Sequence, residues 1–252
     1  MYPHERRQAL MTLLSKHGFV SYHDLAAQLG VSEVTVRRDL RALSAEGLVE
    51  TVVGGGQVKR SASEVSFMTK RVMESKEKER IAQCAHQLLE PGMTIGLTAG
   101  TTTWTLAQGL RGFSELTFVT NSTNVAIALK SNGYEDIHLT GGHFRTPSDA
   151  LVGPMAESVA NQFHTDLLFM GVHGVHLDYG ISTPNVQEAA VNRALMKRSD
   201  RIVLLFDHSK WGIEALARIA ELDEVDDAIT DVETSETQAL QKLGIAVHIA
   251  AP

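Results

Sequence analysis

Residues 21–43 read SYHDLAAQLGVSEVTVRRDLRAL, in which a short glycine turn joins two capped helical patterns. Ser21 and Asp24 have the spacing of a capping box, so the first helix is predicted to begin after Ser21. Gly30 follows that helix, where a left-handed backbone costs glycine little, and Ser32 can cap the second helix. Two short helices joined by so short a turn predict a helix-turn-helix.

The second helix of the pair is amphipathic, and its arginines lie on one side. At 100° per residue, Val36, Leu40 and Leu43 form a narrow apolar stripe. The opposite arc holds Val34, Arg37, Arg38 and Arg41. An amphipathic helix that carries arginines can also be an ordinary solvated surface helix, and for this helix taken alone that alternative stays open.

Helices that read DNA place their N-terminal side chains against base edges in the major groove and use flanking cations for phosphates. We therefore predict contacts to double-stranded DNA from a set of polar and basic side chains, with Arg41 on phosphate. The set is Ser32, Glu33, Thr35, Arg37, Arg38 and Arg41. Asp39 lies near the buried edge of the same helix, so it is expected to pair within its own domain.

The sequence on both sides completes a small domain. Residues 5–16 carry Leu10, Leu13 and Leu14 at helical spacing, which predicts a third helix that covers the other two. Residues 47–58 contain two short β-type runs joined through glycines, the pattern of a hairpin wing. We predict a winged helix-turn-helix over residues 1–58.

The charge of the chain is divided unevenly. The 252 residues have a net charge of -7, but residues 1–60 hold eight Lys and Arg against six Asp and Glu, a balance of +2. The other 192 residues therefore carry -9. The acidic remainder of the chain repels DNA. Binding should therefore need an assembly with two or more DNA-binding domains, which we call reading heads. We expect a homodimer or a homotetramer.

Composition indicates a globular protein of the cytoplasm. The chain is 43% hydrophobic and 21% charged, and it has one cysteine, so no internal disulfide can form. It has no signal-peptide start and no apolar run of membrane-spanning length, so we expect no membrane partner.

The second part of the chain has the pattern of an α/β domain. Residues 59–75 are polar and are interpreted as a linker, and residues 76–252 as a second domain that begins with a helix over 76–89. Short apolar runs separated by helical segments predict a mostly parallel, doubly wound sheet covered on both faces. The predicted strands are residues 93–97, 116–120, 136–140, 167–170, 201–206, 228–230 and 246–249.

Polar residues follow the predicted strands, where ligands bind in such sheets. After the first strand, a glycine turn with consecutive threonines opens a helix, which predicts an anion cradle for a phosphate, although such a turn can also be a plain helix cap. Later strand ends add hydroxyls, an amide, imidazoles and two cations, which suit a phosphorylated polyhydroxy ligand. The predicted effector residues are Thr98, Gly100, Thr101, Thr102, Thr103, Asn121, Gly141, Gly142, Arg145, His173, Glu188 and Lys210.

The first domain contains the motifs Leu29-Gly30-Val31-Ser32 and Thr35-Val36-Arg37-Arg38-Asp39-Leu40. With these motifs the chain shows a resemblance to the DeoR family of bacterial repressors of sugar metabolism. In the second domain it rests on Gly100-Thr101-Thr102, Thr120-Asn121-Ser122, Gly141-Gly142, Phe169-Met170-Gly171 and Ser209-Lys210, with Thr98 where the family has an aspartate. It implies a repressor of a carbohydrate operon that binds operator DNA and is released or modulated by a sugar phosphate.

The second domain also resembles ribose-5-phosphate isomerase, which supplies an alternative, an isomerase-like enzyme fused to a DNA-binding domain. Those isomerases carry catalytic carboxylates after the fourth strand, where this chain has Met170-Gly171-Val172-His173-Gly174. Isomerisation needs a base, and Glu188 alone fits a binding role better. We therefore expect no enzyme activity.

We expect neither a metal nor another cofactor. His143, His173, His176 and His208 follow predicted strands, but none has a compact ligand spacing on one helix and no cysteine pair accompanies them. Histidines that face a sugar or lie in the core remain the favoured interpretation over a zinc site.

Overall fold

The structure is a computed structural model that describes residues 2–17, 19–45, 48–58 and 67–250. The chain divides into two compact units. One unit comprises Met1–Ser61 with Met68–Glu74, and the other comprises Ala62–Phe67 with Ser75–Pro252. Each unit is described by itself below.

The first unit is a three-helix domain with a small sheet. Its elements are α1 (Pro3–His17), β1 (Phe19–Ser21), α2 (Tyr22–Leu29), α3 (Glu33–Ala45), β2 (Val49–Val52) and β3 (Gly55–Val58). The sheet is antiparallel in the order β1-β3-β2, so the predicted wing is present as β2 and β3. Residue 47 of the predicted wing lies outside the described residues. The strand β1 was not predicted, because three residues are too short to show a period.

The caps of the first helix pair follow the sequence closely. The hydroxyl of Ser21 accepts a hydrogen bond from the Asp24 amide at 3.1 Å, and Gly30 has the left-handed backbone of a C-cap, with φ of 63°. The Asp24 carboxylate, however, accepts from the Ser21 hydroxyl at 2.6 Å. The Asp24 carboxylate therefore bonds the Ser21 hydroxyl, whereas the capping-box pattern predicted a hydrogen bond from the Ser21 amide.

Asp39 is paired inside the first unit, as predicted. Its side chain is 2% exposed and lies 2.5 Å from Nε of Arg6, and a second arginine of α1, Arg7, lies 3.7 Å from its other oxygen. The pair fastens α3 to α1, and Leu10 and Leu14 of α1 are fully buried in the same unit. A buried carboxylate needs such partners, because an uncompensated charge in the core is strongly destabilising.

The segment predicted as a linker is partly helical. Residues 59–66 lie outside the described residues, α4 occupies Phe67–Val72, and α5 begins at Ser75. Phe67 is buried, its ring packs edge-on against Trp104 with the centroids 6.0 Å apart, and its amide donates to the Pro147 carbonyl. Packing of this kind explains why Phe67 interrupts an otherwise polar segment.

The second unit contains the following elements: α5 (Ser75–His86), β4 (Thr94–Leu97), α6 (Thr101–Gly109), β5 (Thr117–Thr120), α7 (Thr123–Ser131), β6 (Ile137–Leu139), β7 (His143–Arg145), β8 (Ala150–Val152), α8 (Pro154–Ala160), β9 (Leu167–Gly171), β10 (Gly174–His176), β11 (Gly180–Thr183), α9 (Val186–Met196), β12 (Ile202–Leu205), β13 (Ala217–Ala220), β14 (Asp227–Thr230), α10 (Ser235–Lys242) and β15 (Ala246–Ile249). Short 3-10 helices lie at His208–Lys210 and Leu222–Glu224.

The centre of this unit is a seven-stranded parallel sheet in the order β15-β14-β12-β9-β4-β5-β6. All seven predicted strands are present, and the α/β fold class is confirmed. The chain runs outward from β4 through β5 to β6, then returns to β9 on the other side of β4. The order of the strands therefore reverses between β4 and β9, which is where open α/β sheets bind ligands.

The sheet is covered on both faces, as the near-continuous apolar strands predicted. Leu168 and Met170 of β9 point into one buried cluster with α8 and α9, and Phe169 points into the other with α5 and α6. Strands β7 and β8 pair with each other, and β10, β11 and β13 form a further antiparallel sheet. These strands of three or four residues were not predicted.

Candidate functional site

The exposed face of α3 carries three arginines among the predicted DNA contacts. Val36 and Leu40 are fully buried, whereas Arg37, Arg38 and Arg41 are exposed. The helix is thus the amphipathic element expected from the sequence, with its apolar stripe in the core of the first unit.

Arg37 and Glu33 are held against the preceding helix. The guanidinium carbon of Arg37 lies 3.9 Å from the centre of the Tyr22 ring, and its Nη2 lies 3.5 Å from Oε2 of Glu33. Glu33 also lies 3.7 Å from Nδ1 of His23. The ring of Tyr22 and the carboxylate of Glu33 fix the direction of the Arg37 side chain. Arg37 is therefore less available than Arg38 to contact a base.

Ser32 and Thr35 form the N-terminal cap of α3. The Thr35 amide donates to the hydroxyl of Ser32 at 3.2 Å, and the two hydroxyl oxygens are 2.9 Å apart. Both hydroxyls are therefore used within the helix, and any contact of theirs to DNA would share an atom that already caps the helix.

In the second unit, the loop after β4 is fastened by the side chains of its own threonines. Thr98 is fully buried, and its hydroxyl accepts a hydrogen bond from the Gly171 amide at 3.1 Å. The hydroxyl of Thr103 donates to the carbonyls of Thr98 and Gly100 at 2.7 and 3.0 Å. Thr98 and Thr103 thus hold the ends of β4 and β9 together and shape the turn at Gly100.

The turn at Gly100 leaves the start of α6 without a side-chain cap. Gly100 is the N-cap residue of α6 and has no side chain to accept from the first-turn amides, while Thr101 and Thr102 are buried beside it. First-turn amides without a side-chain acceptor are the donors that phosphate groups use. This position lies beyond the carboxyl end of β4, at the switch between β4 and β9.

Asn121 supports this turn. Its Oδ1 accepts from the Ala99 amide at 2.7 Å, its Nδ2 lies 3.5 Å from the Leu151 carbonyl, and its own carbonyl accepts from the Leu151 amide at 2.7 Å. The side chain is 1% exposed. Asn121 therefore connects β4, β5 and β8. To orient a sugar hydroxyl as well, its side-chain amide would have to share these hydrogen bonds with the sugar.

A second group of predicted residues meets at the β7–β8 hairpin. Nη1 of Arg145 lies 3.0 Å from Oε1 of Glu188 and 3.1 Å from the hydroxyl of Ser148. The Ser148 hydroxyl donates to the same carboxylate oxygen, and that of Thr183 donates to Oε2 at 3.0 Å. Both charged side chains are less than one-fifth exposed. The structure thus brings Arg145 and Glu188 together, although the sequence separates them by 43 residues.

Gly141, Gly142 and His173 lie in the loops around that group. Gly141 and Gly142 have left-handed backbones, with φ of 64° and 104°, and a methyl group on Gly142 would lie 2.6 Å from the Val152 carbonyl. The amide of His173 donates to the Ser182 carbonyl at 3.2 Å. The glycines therefore let the hairpin approach α8, while the backbone of His173 joins the end of β9 to β11.

A third group surrounds Asp207, which is fully buried beyond the end of β12. Asp207 accepts from the amide of Ser209 at 3.0 Å and from its hydroxyl, and Nζ of Lys210 lies 3.8 Å from Oδ2. Burial would raise the pKa of the Asp207 carboxyl, but Lys210 and Lys78 and the hydrogen bond from Ser209 lower it to about 2. The carboxylate is therefore ionised at neutral pH and holds Lys210 in place.

Lys78 was missed in the sequence. It is 2% exposed on α5, and its charge acts on Asp207. The helical pattern contained the signal, because Lys78 lies at the spacing of Ile81, Ala82 and Ala85, which form the buried face of α5. A lysine on an apolar face needs a partner carboxylate, and none could be identified before the fold was known.

His208 and Asp231 form a further pair at the same edge of the sheet. Nδ1 of His208 lies 2.7 Å from one oxygen of Asp231, and the His208 amide donates to the other at 2.7 Å. Asp231 directly follows β14 and is buried. The pair joins the ends of β12 and β14, and Asp231 was not among the predicted site residues.

One group of metal-type ligands lies away from these loops. His164, Asp166 and Asp200 have donor atoms within 4.8 Å of one another, and all three residues are exposed. Within the described part of the chain, none of the four histidines singled out in the sequence joins a group of three such ligands. Exposed acidic groups of this kind are common in proteins without an ion, so this group supports no metal site.

An open cleft of about 540 Å³ also lies apart from the predicted residues. Arg193, Arg218 and Glu221 line it with neighbouring residues of β13 and the 3-10 helix after it, and no predicted effector residue takes part. Across the described residues, every helix is too short or too polar to cross a membrane.

Comparison with known protein families agrees with both units. Residues 6–62 match the profile of the DeoR-like helix-turn-helix domain, and residues 73–232 match that of the DeoR C terminal sensor domain.

Individual proteins give the same result over nearly the whole chain. The chain is 34% identical to the HTH-type transcriptional regulator GolR of Listeria innocua, over 99% of this chain and 100% of that protein. It is 30% identical to the glycerol-3-phosphate regulon repressor of Escherichia coli K12, over 90% of each.

Among solved structures, ribose 5-phosphate isomerase from Plasmodium falciparum is similar, with a TM-score of 0.40 and 14% identity over 57% of this chain and 55% of that chain. A likeness at this level concerns the fold alone. The two family matches together span most of the sequence, and relatives match it from end to end. The chain therefore belongs to the DeoR family of transcriptional regulators.

Proposed function

We propose that this protein is a transcriptional repressor of a carbohydrate operon and that a phosphorylated sugar bound in the second unit controls its affinity for operator DNA. The observation that carries the proposal is the arrangement beyond the strand ends. The uncapped start of α6 lies at the switch between β4 and β9, and the cation of Lys210 is held by Asp207 beyond β12, two strands from β4 in the sheet.

The polar groups of this edge suit a phosphate attached to a polyhydroxy chain. Amides at a helix start and an ammonium group bind phosphate oxygens, and carboxylates and hydroxyls bind sugar hydroxyls. The Arg145–Glu188 pair offers both kinds of group, and Lys78 adds a second cation near Asp207. One relative is named the glycerol-3-phosphate regulon repressor, and a phosphorylated effector for this protein is consistent with that relative's name.

The proposed switch follows from linkage. If the sugar phosphate binds more tightly to a state whose reading heads do not fit the operator, DNA affinity must fall, and DNA must weaken sugar binding by the same factor. We propose that the assembly is a homodimer or a homotetramer, because the few cations of each reading head act against an acidic second unit. Analytical ultracentrifugation of the full chain checks this, and a monomer that binds operator tightly would contradict it.

The effector proposal is tested by a thermal-shift screen of the full chain against sugar phosphates, with the unphosphorylated sugars and inorganic phosphate as comparisons. A sugar phosphate that raises the melting temperature should also change operator affinity. Lys210→Met should abolish that response and leave DNA binding intact, whereas Lys197→Met, which changes an exposed lysine after α9, should behave as the wild type. No response to any sugar phosphate would overturn the effector proposal.

We further propose that the bound sugar phosphate is not converted and that no metal or other cofactor is needed. The segment from the end of β9 to the start of β10, Gly171-Val172-His173-Gly174, has no carboxylate, and both oxygens of Glu188 accept hydrogen bonds from neighbouring side chains. A base that must take a proton from a sugar is therefore lacking there. Incubation with each stabilising sugar phosphate, followed by NMR of the sugar, should show no isomer. Elemental analysis of active protein should show no stoichiometric metal.

A further inference from the structure

The exposed face of α3 has an apolar end. Val34 is 76% exposed in the first turn of the helix, whereas Val36, two residues later, is fully buried. Relative to Val36, the side chains of Val34, Arg38 and Arg41 point in directions within about 60° of one another, on the side of the helix away from the core. A valine thus precedes the two exposed arginines on a single stripe, which we call the reading stripe.

The neighbours of Val34 do not cover it. Arg37, whose long stem could shield an adjacent apolar group, lies over the ring of Tyr22 and beside Glu33. A single exposed apolar residue is ordinary on a protein surface and needs no explanation by itself. At the N-terminal end of a helix that enters the major groove, however, its position is where base edges are contacted.

The major groove offers one apolar feature, the C5-methyl group of thymine. A β-branched side chain with two methyl groups and little rotamer freedom in a helix suits contact with it. Four residues of helix rise about 6 Å, which is close to two base steps of about 3.4 Å each. A base that Val34 contacts therefore lies within about two steps of the one that Arg38 contacts.

We propose that Val34 is a specificity-determining residue that reads the methyl group of one thymine in each operator half-site, next to the base read by Arg38. The proposal rests on the DNA-binding function proposed above. It adds an apolar contact to an interface for which the sequence predicted only polar and basic ones.

The test first selects a preferred duplex with the full-length protein from a randomised pool. Each thymine of the half-site is then replaced by deoxyuridine, which removes only the methyl group. For the wild type, one thymine position of the half-site should be sensitive. Its replacement in one half-site should weaken binding about fourfold, the size expected for the loss of one buried methyl contact. Val34→Ala should weaken binding to the thymine duplex by a similar factor and should bind the thymine and uracil duplexes equally.

Val53→Ala is the matched control, since Val53 is another exposed valine of the first unit, in the turn between β2 and β3. Whatever its overall affinity, this variant should keep the fourfold penalty for uracil. Because Val34 is exposed, the alanine variant should fold, and circular dichroism checks this.

Two outcomes overturn the proposal and can be told apart from failure of the function itself. If the wild type shows no penalty for uracil at any position, or if Val34→Ala keeps the penalty, Val34 does not read a methyl group although the protein reads DNA. If no sequence is enriched from the pool, the proposed DNA-binding function fails and this inference fails with it.

Discussion

The hydroxyl of Thr98 accepts a hydrogen bond from the amide of Gly171 at 3.1 Å, across a separation of 73 residues. This bond joins the ends of β4 and β9 at the point where the strand order reverses. The hydroxyl of Thr103 donates to the Thr98 carbonyl from the other side, so the turn before α6 is fixed by side chains that point away from solvent. Thr98 stands where the resemblance places an aspartate, and here it supports the site from inside.

Thr98→Val removes the acceptor of the Gly171 amide and keeps the shape of the side chain. We expect the free energy of unfolding to fall by about 1–3 kcal/mol, the range for a buried donor that loses its partner. Urea denaturation of the two proteins measures the difference. Thr117→Val on β5 is the control, because the Thr117 hydroxyl donates to the exposed Asp136 carboxylate and should contribute less than about 0.5 kcal/mol. Equal losses in both variants would show that the buried Thr98 bond contributes no more to the free energy of unfolding than the exposed Thr117 bond.

Arg145 and Glu188 should be coupled energetically in the absence of any ligand. Their side chains are less than one-fifth exposed, and hydroxyls of Ser148 and Thr183 complete the group. In a double-mutant cycle with Arg145→Met and Glu188→Gln, the two losses of unfolding free energy should fall short of additivity by about 1–2 kcal/mol. Strict additivity would mean that the pair forms no stabilising interaction.

Asp207 predicts a dependence of stability on pH. Its pKa is about 2 in the folded protein, below the ordinary value of 3.8, mainly because Lys210 and Lys78 outweigh the effect of burial. A lowered folded-state pKa stabilises the protein above the unfolded value, and this stabilisation is lost as the pH falls through the folded value. The contribution is roughly 2 kcal/mol at neutral pH.

Asp207→Asn should therefore be less stable than the wild type at pH 5–7, and the difference should shrink as the pH falls from about 4 to 2. Urea denaturation at several pH values measures it, with Asp178→Asn, which changes an exposed aspartate after β10, as the control for the same substitution at the surface. A difference between wild type and Asp207→Asn that stays constant down to pH 2 would contradict the lowered pKa.

The sequence predicted the seven parallel strands because they are short, mostly apolar runs separated by helical patterns, and it predicted α3 because its period is clear over thirteen residues. Strands such as β1 and β7 have three residues and no readable period. The functions of Thr98 and Lys78 could not be predicted, because each depends on a partner, Gly171 or Asp207, that only the strand order brings near. The sequence supplies the residue types at the strand ends, and the topology decides which of them face each other.

Arg38 and Arg41 should differ in how their loss affects DNA binding, although both are exposed on the reading stripe. Arg38→Ala should cost about 1–3 kcal/mol and relax the preference at one base pair of each half-site if the guanidinium contacts a guanine. Arg41→Ala should weaken all sequences by a similar factor and reduce the slope of log affinity against log salt by about 1 per reading head. Arg111→Ala, on an exposed arginine of the second unit, should change neither quantity.

Binding measured at several salt concentrations against a set of single-base operator variants separates the two arginines. An unchanged sequence preference in Arg38→Ala would make Arg38 a phosphate contact, and an unchanged salt slope in Arg41→Ala would place Arg41 off the DNA backbone.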